Sequence, residues 1–478
     1  MTTHEIDMVQ VARRVVQDNG FLTDMPAGLT AAIPVHDPDE GARDLRGLPW
    51  SSIDNEDSRD LDQIEVAERL KDGSIRVLVG IADVDALVPR GSPIDQYAGT
   101  NTTSLYTGVH IFPMLPEQLS TDRTSLLADG RGRLAVITEI VVRPDGELDD
   151  QGTQIYIAIV ENHAKLVYER VGAWLEGHGT PPIAAIADQV KLQDEAAQRL
   201  RKLRHLHGAL DLETIEANPV MKGDHIVDLE LVHKNRAREL IEDLMIAANG
   251  ATARFLEARG LSSLRRVVAK PKRWDRIVEL AGSLGTTLPA VPDAKALSEF
   301  LVARHAAAPD KFADLSLSIV KLLGPGQYVL QRAQDKEQGH FGLAVDDYSH
   351  STAPNRRYPD LITQRLLKAV VRGHPAPYTD EELTQIAEHC TERENAARKV
   401  ERTMRKVAAA ELLSSRIGDE FDAIVTGVSP SGVFARLFRP PAEGRIVRGE
   451  EGLDVGDKLR VRLVDTAPAK GFIDFARV

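Results

Sequence analysis

The chain has 478 residues, 42% hydrophobic and 27% charged, the balance of a folded globular protein with room for two or three domains. Its single cysteine, Cys390, excludes an internal disulfide and fits a reducing cytosol, and with only scattered histidines it offers no paired ligand spacing for zinc. The N-terminus lacks the regions of a signal peptide, no apolar run approaches the roughly eighteen residues that span a bilayer, and the net charge of −13 speaks at first sight against a nucleic-acid partner.

That last objection is weak, because a global balance says little about an enzyme that hides its basic groups in a channel. Local basic clusters exist at Arg201-Lys202-Leu203-Arg204, Arg265-Arg266, Lys270-Pro271-Lys272-Arg273, Arg356-Arg357 and Arg398-Lys399-Val400-Glu401-Arg402. Taken singly, each reads as a solvated face.

In chain order, Val9, Val11, Ala12, Val15 and Val16 pattern a helix that ends at Asn19-Gly20. A proline- and aspartate-rich link leads to an acidic cluster near 54–62. Strand patterns follow, in Ile75–Val84 and Leu134–Val142. Long helices are expected at about 186–207, 229–258, 272–284, 293–305 and 380–415, and after Gly418 short strands alternate with turn residues. The expected organisation is a small helical head (1–44), a large α+β centre (45–415) and a small β-barrel tail (416–478).

The acidic cluster carries the chemistry. Asp54, Asp60 and Asp62 fall within nine residues, and the run Gln63-Ile64-Glu65-Val66-Ala67 after them alternates like a strand. A short loop entering a strand brings Asp54 back beside Asp60 and Asp62, which share one face at period two. Carboxylates held so close repel unless a cation joins them. Oxygen-only ligands favour magnesium or manganese over zinc, and such a site suits phosphoryl chemistry. A solvated acidic loop is the competing reading of this segment.

Beside this cluster stand Val79-Gly80-Ile81-Ala82-Asp83-Val84, Phe112-Pro113-Met114-Leu115-Pro116-Glu117-Gln118-Leu119-Ser120, Ile241-Glu242-Asp243-Leu244-Met245-Ile246-Ala247-Ala248-Asn249 and His350-Ser351-Thr352-Ala353-Pro354-Asn355-Arg356-Arg357-Tyr358-Pro359-Asp360-Leu361. In order and rough spacing, over about 45–415, these segments resemble the catalytic domain of ribonuclease II-type exoribonucleases. The tail resembles the OB-fold RNA-binding module that ends most members of that family. The resemblance implies a multidomain α+β protein whose mixed sheet is surrounded by helices and whose C-terminal barrel has five strands. It also implies hydrolytic, processive 3′→5′ degradation of single-stranded RNA to nucleoside 5′-monophosphates with magnesium, for which manganese is a possible substitute. A cytoplasmic monomer without membrane association is expected.

Carried over residue by residue, the resemblance makes Asp54, Asp60 and Asp62 metal ligands, and Asp62 and Arg356 catalytic. A guanidinium near the metal holds a phosphate oxygen bidentately, which lysine does less well. The fourth acidic position of the family is Gln63 here, a neutral residue that leaves the metal count or affinity open; Glu56 and Asp57 are nearby carboxylates that would substitute or merely cap the turn. Tyr106 and Tyr168 match tyrosines that stack on bases and line the channel. Glu242, on a stripe with Met245, Ile246 and Asn249, matches a glutamate near the terminal nucleotide, and burial of that polar pair would demand a partner such as a 2′-hydroxyl. Arg357 is a candidate backbone contact or a structural residue. Phe434 on the barrel would stack on RNA, with Arg436, Lys458, Arg460 and Arg462 supplying charge. His340 and His350 are assigned to structure.

Two other readings compete. Gln63 suits a catalytically weakened family member that binds RNA as a regulator. A haloacid-dehalogenase-type pair at Asp60-Leu61-Asp62 would want an apolar strand just before it, which Glu56-Asp57-Ser58-Arg59 is not. Ribonuclease II carries two OB modules ahead of its catalytic domain, whereas about 44 residues of helical pattern precede the motifs here, a length that fits a helix-turn-helix. The expectation is a more open channel mouth that admits structured RNA further.

Overall fold

Residue spacing divides this chain between strands of period two and helices of period near four. A computed structural model of the protein describes residues 7–34, 41–213, 217–223, 225–231, 234–335, 339–430 and 432–478. Helix α1 (Met8–Asp18) starts where the Asp7 carboxylate accepts a hydrogen bond from the Gln10 backbone N–H at 3.0 Å, and it buries the stripe Met8, Ala12 and Val16. Next come β1 (Arg43–Asp44), β2 (Ser51–Asp54), β3 (Gln63–Arg69) and β4 (Ile75–Ala82), then α2 (Pro93–Asn101) and the small hairpin β5 (Leu105–Tyr106) and β6 (Ile111–Phe112). They are followed by β7 (Arg133–Val142), β8 (Gln154–Val160), β9 (Ala164–Val167) and α3 (Tyr168–Leu175).

All these strands except the hairpin form one mixed sheet in the order β1-β8-β7-β4-β3-β2-β9, with β1–β8 and β2–β9 parallel and the other pairs antiparallel. The near-continuous apolar run of β4 puts it at the centre. On β3 the two faces part company. Ile64 and Val66 join a core around Trp50, Leu61 and Val84, whereas Ala67 joins Ile53 and Val79 under α4 (Ala187–Leu206) and α5 (Arg236–Glu257). Burial on both faces pins the register, since a one-residue slip would exchange the two cores.

The helix expected at about 229–258 begins only at Arg236. Residues 229–231 belong to a hairpin of β10 (Ala217–Lys222) and β11 (His225–Leu231), and the Asn235 side chain caps α5 by accepting from the Arg238 N–H at 2.9 Å; residues 232–233 lie outside the described residues. Beyond α5, β12 (Ser263–Val267) pairs with β13 (Gln327–Gln331), and α6 (Trp274–Ser283), α7 (Ala294–Ala307) and α8 (Pro309–Leu323) enclose a core around Trp274, Phe300 and Phe312.

Two helices position the site. α9 (Tyr358–Arg372) was not expected, because charged residues interrupt its apolar periodicity. Those charges are buried in ion pairs: Arg365 reaches Asp85 at 2.9 Å and Asp95 at 2.8 Å, and Lys368 reaches Asp83 at 2.8 Å. α10 (Asp380–Leu413) opens on a capping box of Thr379 and Glu382 and runs for 34 residues, roughly 50 Å. Its first turns pack beside α9, its middle covers α1 through Ala397, Val400 and Met404, and its end enters the barrel core through Ala409, Ala410 and Leu413.

The tail strands β14 (Glu420–Ser429), β15 (Gly432–Leu437), β16 (Glu443–Arg448), β17 (Lys458–Ala467) and β18 (Phe472–Arg477) close into a barrel in the order β14-β15-β16-β18-β17. The expected fold class is therefore borne out: a helix-wrapped mixed sheet followed by a five-stranded barrel. The head differs from the expected helix-turn-helix. Between α1 and residue 34 the described residues hold one short 3₁₀ turn, Leu29–Ala32, and the apolar stripe of α1 is covered by α10 instead of a second helix of its own.

Candidate active site

The loop from β2 to β3 is held at both ends. The Lys165 ammonium donates to the carbonyls of Glu56 at 2.8 Å and Ser58 at 2.6 Å, and the Ser125 hydroxyl accepts from the Leu61 N–H at 2.9 Å while donating to the Arg59 carbonyl at 2.5 Å. Thus anchored, the loop brings Asp54, Asp60 and Asp62 to the wall of one cavity of about 360 Å³, shared with Gln63, Tyr106, Tyr168 and Arg356.

Each carboxylate has its own donor. Asp62 is 2% exposed and accepts from the Asn355 N–H at 2.9 Å and from Arg356 Nε at 3.3 Å. Burial pushes its carboxyl up to about 7, against the pull of the Arg356 charge. Asp60 accepts from the Tyr106 hydroxyl at 2.8 Å, and Asp54 accepts from the Asn55 N–H and the Ser58 hydroxyl, both at 2.7 Å. Among the described residues no three histidine, cysteine or acidic side chains close on a common point. Each aspartate is held by donors of its own. As a donor set they suit a hard cation, being all oxygen, with one carboxyl so desolvated that a nearby positive charge would favour its ionised form.

Sheet register explains the far wall. Asp54 lies opposite Val167 in the parallel β2–β9 pair, so Tyr168, the next residue, arrives beside it. The guanidinium of Arg238 stacks over the Tyr168 ring at 4.4 Å and bonds Asn55 at 3.1 Å and Glu169 at 2.9 Å. Arg238 was missed by the sequence reading. Its signal was the spacing Arg238, Ile241, Met245 (i, i+3, i+7), one stripe of α5 that faces the cavity.

Glu242 is displaced from that wall. One helical step of about 100° past Ile241 turns it to solvent, so it is exposed instead of buried with Asn249. Asn249 is satisfied internally, its Oδ1 accepting from the Ser351 N–H and hydroxyl, both at 2.8 Å. Arg357 also points elsewhere. Extended backbone at 357 (φ −135°, ψ 122°) sends it away from its neighbour Arg356, onto Asp360 at 2.7 Å and into a separate cavity with Tyr328 and Cys390. Glu56 and Asp57 are exposed, Glu56 pairing with Arg170 at 3.1 Å, so neither fills the place beside Gln63. His340 and His350 do not line the cavity, and the latter is half-buried with its Nδ1 2.8 Å from the Tyr328 hydroxyl.

On the barrel, Phe434 lies half-buried between the inward-facing Val433 and Ala435, distant in sequence and element from the cavity wall. The charges expected beside it are largely used within the fold: Arg436 pairs with Asp314 at 3.0 Å, and Arg460 and Arg462 both meet Glu420, at 3.2 and 2.8 Å. Likewise Arg201 and Arg204 of the basic run converge on Asp243, and Arg265 and Arg266 are buried against Glu257 and Glu394.

Burial of the acids near the cavity has a consequence for stability. Asp62 moves from 3.8 to about 7 and Glu65 from 4.5 to about 8, in both cases chiefly through desolvation. The folded state therefore holds more protons than the unfolded one between those values, and stability falls as pH rises through the window. Without divalent cations, the melting temperature should decline from about pH 5 to pH 8, and Asp62→Asn or Glu65→Gln should each flatten part of the decline. A profile unchanged in both variants would contradict the burial.

Comparison with known proteins agrees with this layout. Residues 42–373 match the RNB domain, and residues 419–478 match the C-terminal S1 domain of RNase II-type exonucleases. The chain belongs to the RNB family. It is 30% identical to ribonuclease R of Escherichia coli K12 over 491 aligned positions, covering 95% of this chain and 59% of that protein. In general the chain spans about half to three-fifths of the length of the curated relatives it matches first. Its fold is similar to two solved structures of Mycoplasma genitalium RNase R. One, in complex with ribose-methylated single-stranded RNA, has a TM-score of 0.89 at 23% identity and covers 99% of this chain and 78% of that one. The other, with double-stranded RNA, has a TM-score of 0.88 at 24% identity and covers 99% and 83%. Among the described residues no helix is long and apolar enough to cross a membrane.

Proposed function

We propose that this protein is a hydrolytic, processive 3′→5′ exoribonuclease that degrades single-stranded RNA to nucleoside 5′-monophosphates, working as a cytoplasmic monomer. The observation that carries the reading is the assembly, from distant parts of the chain, of Asp54, Asp60, Asp62 and Arg356 around one tyrosine-walled cavity. Asp54, Asp60 and Asp62 would hold magnesium, or manganese in its place, which when bound supplies water activation and neutralises charge on phosphate oxygens.

The chain's own groups do the rest. Arg356 keeps its Nε on Asp62 and leaves its terminal nitrogens for the scissile phosphate. Tyr106 is fixed by its bond to Asp60, and Tyr168 by the guanidinium over its ring, so both offer preset faces for bases of any sequence. Phe434 extends that contact onto the barrel. In this reading residues 45–415 form the catalytic unit, 1–44 a head and 416–478 the RNA-binding barrel. The placement of Glu242 and Arg357 gives no support to direct contacts from them at the cavity.

A labelled RNA strand incubated with magnesium should shorten from its 3′ end to mononucleotides, and EDTA should abolish this. Binding without shortening at any divalent-ion concentration would favour the RNA-binding regulator that Gln63 suggests. The same assay with a 3′-tailed duplex tests entry into structured RNA, a finer proposal supported by the likeness in fold to a protein solved with double-stranded RNA. Shortening that stops within the tail, before the duplex is reached, would contradict it.

A further inference from the structure

Position 63 is neutral, yet the strand that carries it has a carboxylate two residues on. Gln63 and Glu65 point to the same face of β3, and Gln63 lines the cavity. Glu65 is 0% exposed, and neither of its carboxyl oxygens has a hydrogen-bond partner. Directly across the sheet, Ser51 is equally buried and its hydroxyl also lacks a partner. Glu65 lies within electrostatic reach of Asp54, and both act on the Tyr168 phenol, two groups that line the cavity with Gln63.

Nearby fixed cations are committed elsewhere. Lys165 holds the Glu56 and Ser58 carbonyls, Arg238 is on Asn55 and Glu169, and Arg356 is on Asp62. A buried carboxyl without a partner is costly, and acidic side chains are almost never fully buried unless paired. Two residues along a strand amount to about 6.5 Å, and the extra methylene of glutamate recovers part of that distance.

We infer that Glu65 is the anionic ligand replacing the aspartate missing at position 63, so that a divalent cation in the cavity is held from the β3 side by Glu65. This rests on the metal-dependent reading above. The competing occupant of the polar niche is a buried water joining Glu65, Ser51 and Gln193, whose Oε1 is likewise unpartnered.

Manganese binding, read from the EPR signal of the free ion, separates the two without any activity measurement. Wild type is compared with D62N, E65Q, Q63D and the double variant Q63D/E65Q, each checked for folding by its melting temperature. E65Q should bind manganese at least about tenfold more weakly, and Q63D/E65Q should recover most of the loss. Q63D alone should change little, because the place is filled; tightening by about tenfold or more would count against the inference. If E65Q binds like wild type while D62N does not, Glu65 serves a buried water and the inference falls while the metal site stands. If D62N also binds like wild type, the metal reading itself fails and takes the inference with it.

Discussion

Asp62→Asn should fold, bind RNA almost normally and lose roughly two to four orders of magnitude in turnover. Asparagine is nearly isosteric, and its Oδ1 can keep the 2.9 Å hydrogen bond from the Asn355 N–H, so the 350–357 loop stays docked. What disappears is the charge. Asp62 is the most deeply buried of the three cavity aspartates, where burial is the largest cause raising its carboxyl to about 7, so the substitution removes a costly ionisation and should leave the metal-free protein at least as stable at neutral pH. Loss of rate with gain of stability is the pattern of a functional carboxylate held at a structural cost. Turnover near the wild-type value at saturating magnesium would sink the assignment.

The second large effect is expected at Arg356. Its side chain is 47% exposed and its one bond to Asp62 spans 3.3 Å, so Arg356→Ala should cost little stability. The rate should nevertheless fall by about two to three orders of magnitude, with little change in RNA affinity, because the lost donors act on charge that develops during the reaction. Arg356→Lys discriminates further. Lysine keeps the charge but not the planar fork, and should be nearly as impaired as alanine. Single-turnover rates on one RNA strand decide the matter: if lysine restores most of the rate, the bidentate role is wrong.

The acidic loop, the two tyrosines and Arg356 were legible in the sequence because each sits in a motif whose order along the chain survives folding. Helical phase was harder to read. Both flanks of the α5 stripe carry apolar residues, so nothing local says that Ile241 and Met245, not Glu242 and Ile246, face the cavity; the 55–62 loop packed against Arg238 decides it. Arg356 and Arg357 are adjacent and chemically identical, and only the extended backbone at the start of α9 sends them apart. α9 escaped notice since its buried face solves its charges with Asp83, Asp85 and Asp95, residues 270 to 285 positions away. Glu65 showed its period-two relation to Gln63 openly, but full burial of a glutamate runs against the ordinary expectation for that residue.

The long helix α10 bears on how a chain of this kind could exchange parts with its relatives. A composition boundary near 416 invites a recombination joint there, yet Ala409, Ala410 and Leu413, upstream of it, sit in the same core as Phe421 and Phe475 of the barrel. Leu229, from the β10–β11 hairpin nearly 200 residues earlier, sits there too. A transplanted barrel would meet a helix end and a hairpin strand shaped for another partner. The heritable module is accordingly the barrel together with the last turns of α10 and the hairpin that touches it, a unit assembled in space that no single cut in the gene can lift out.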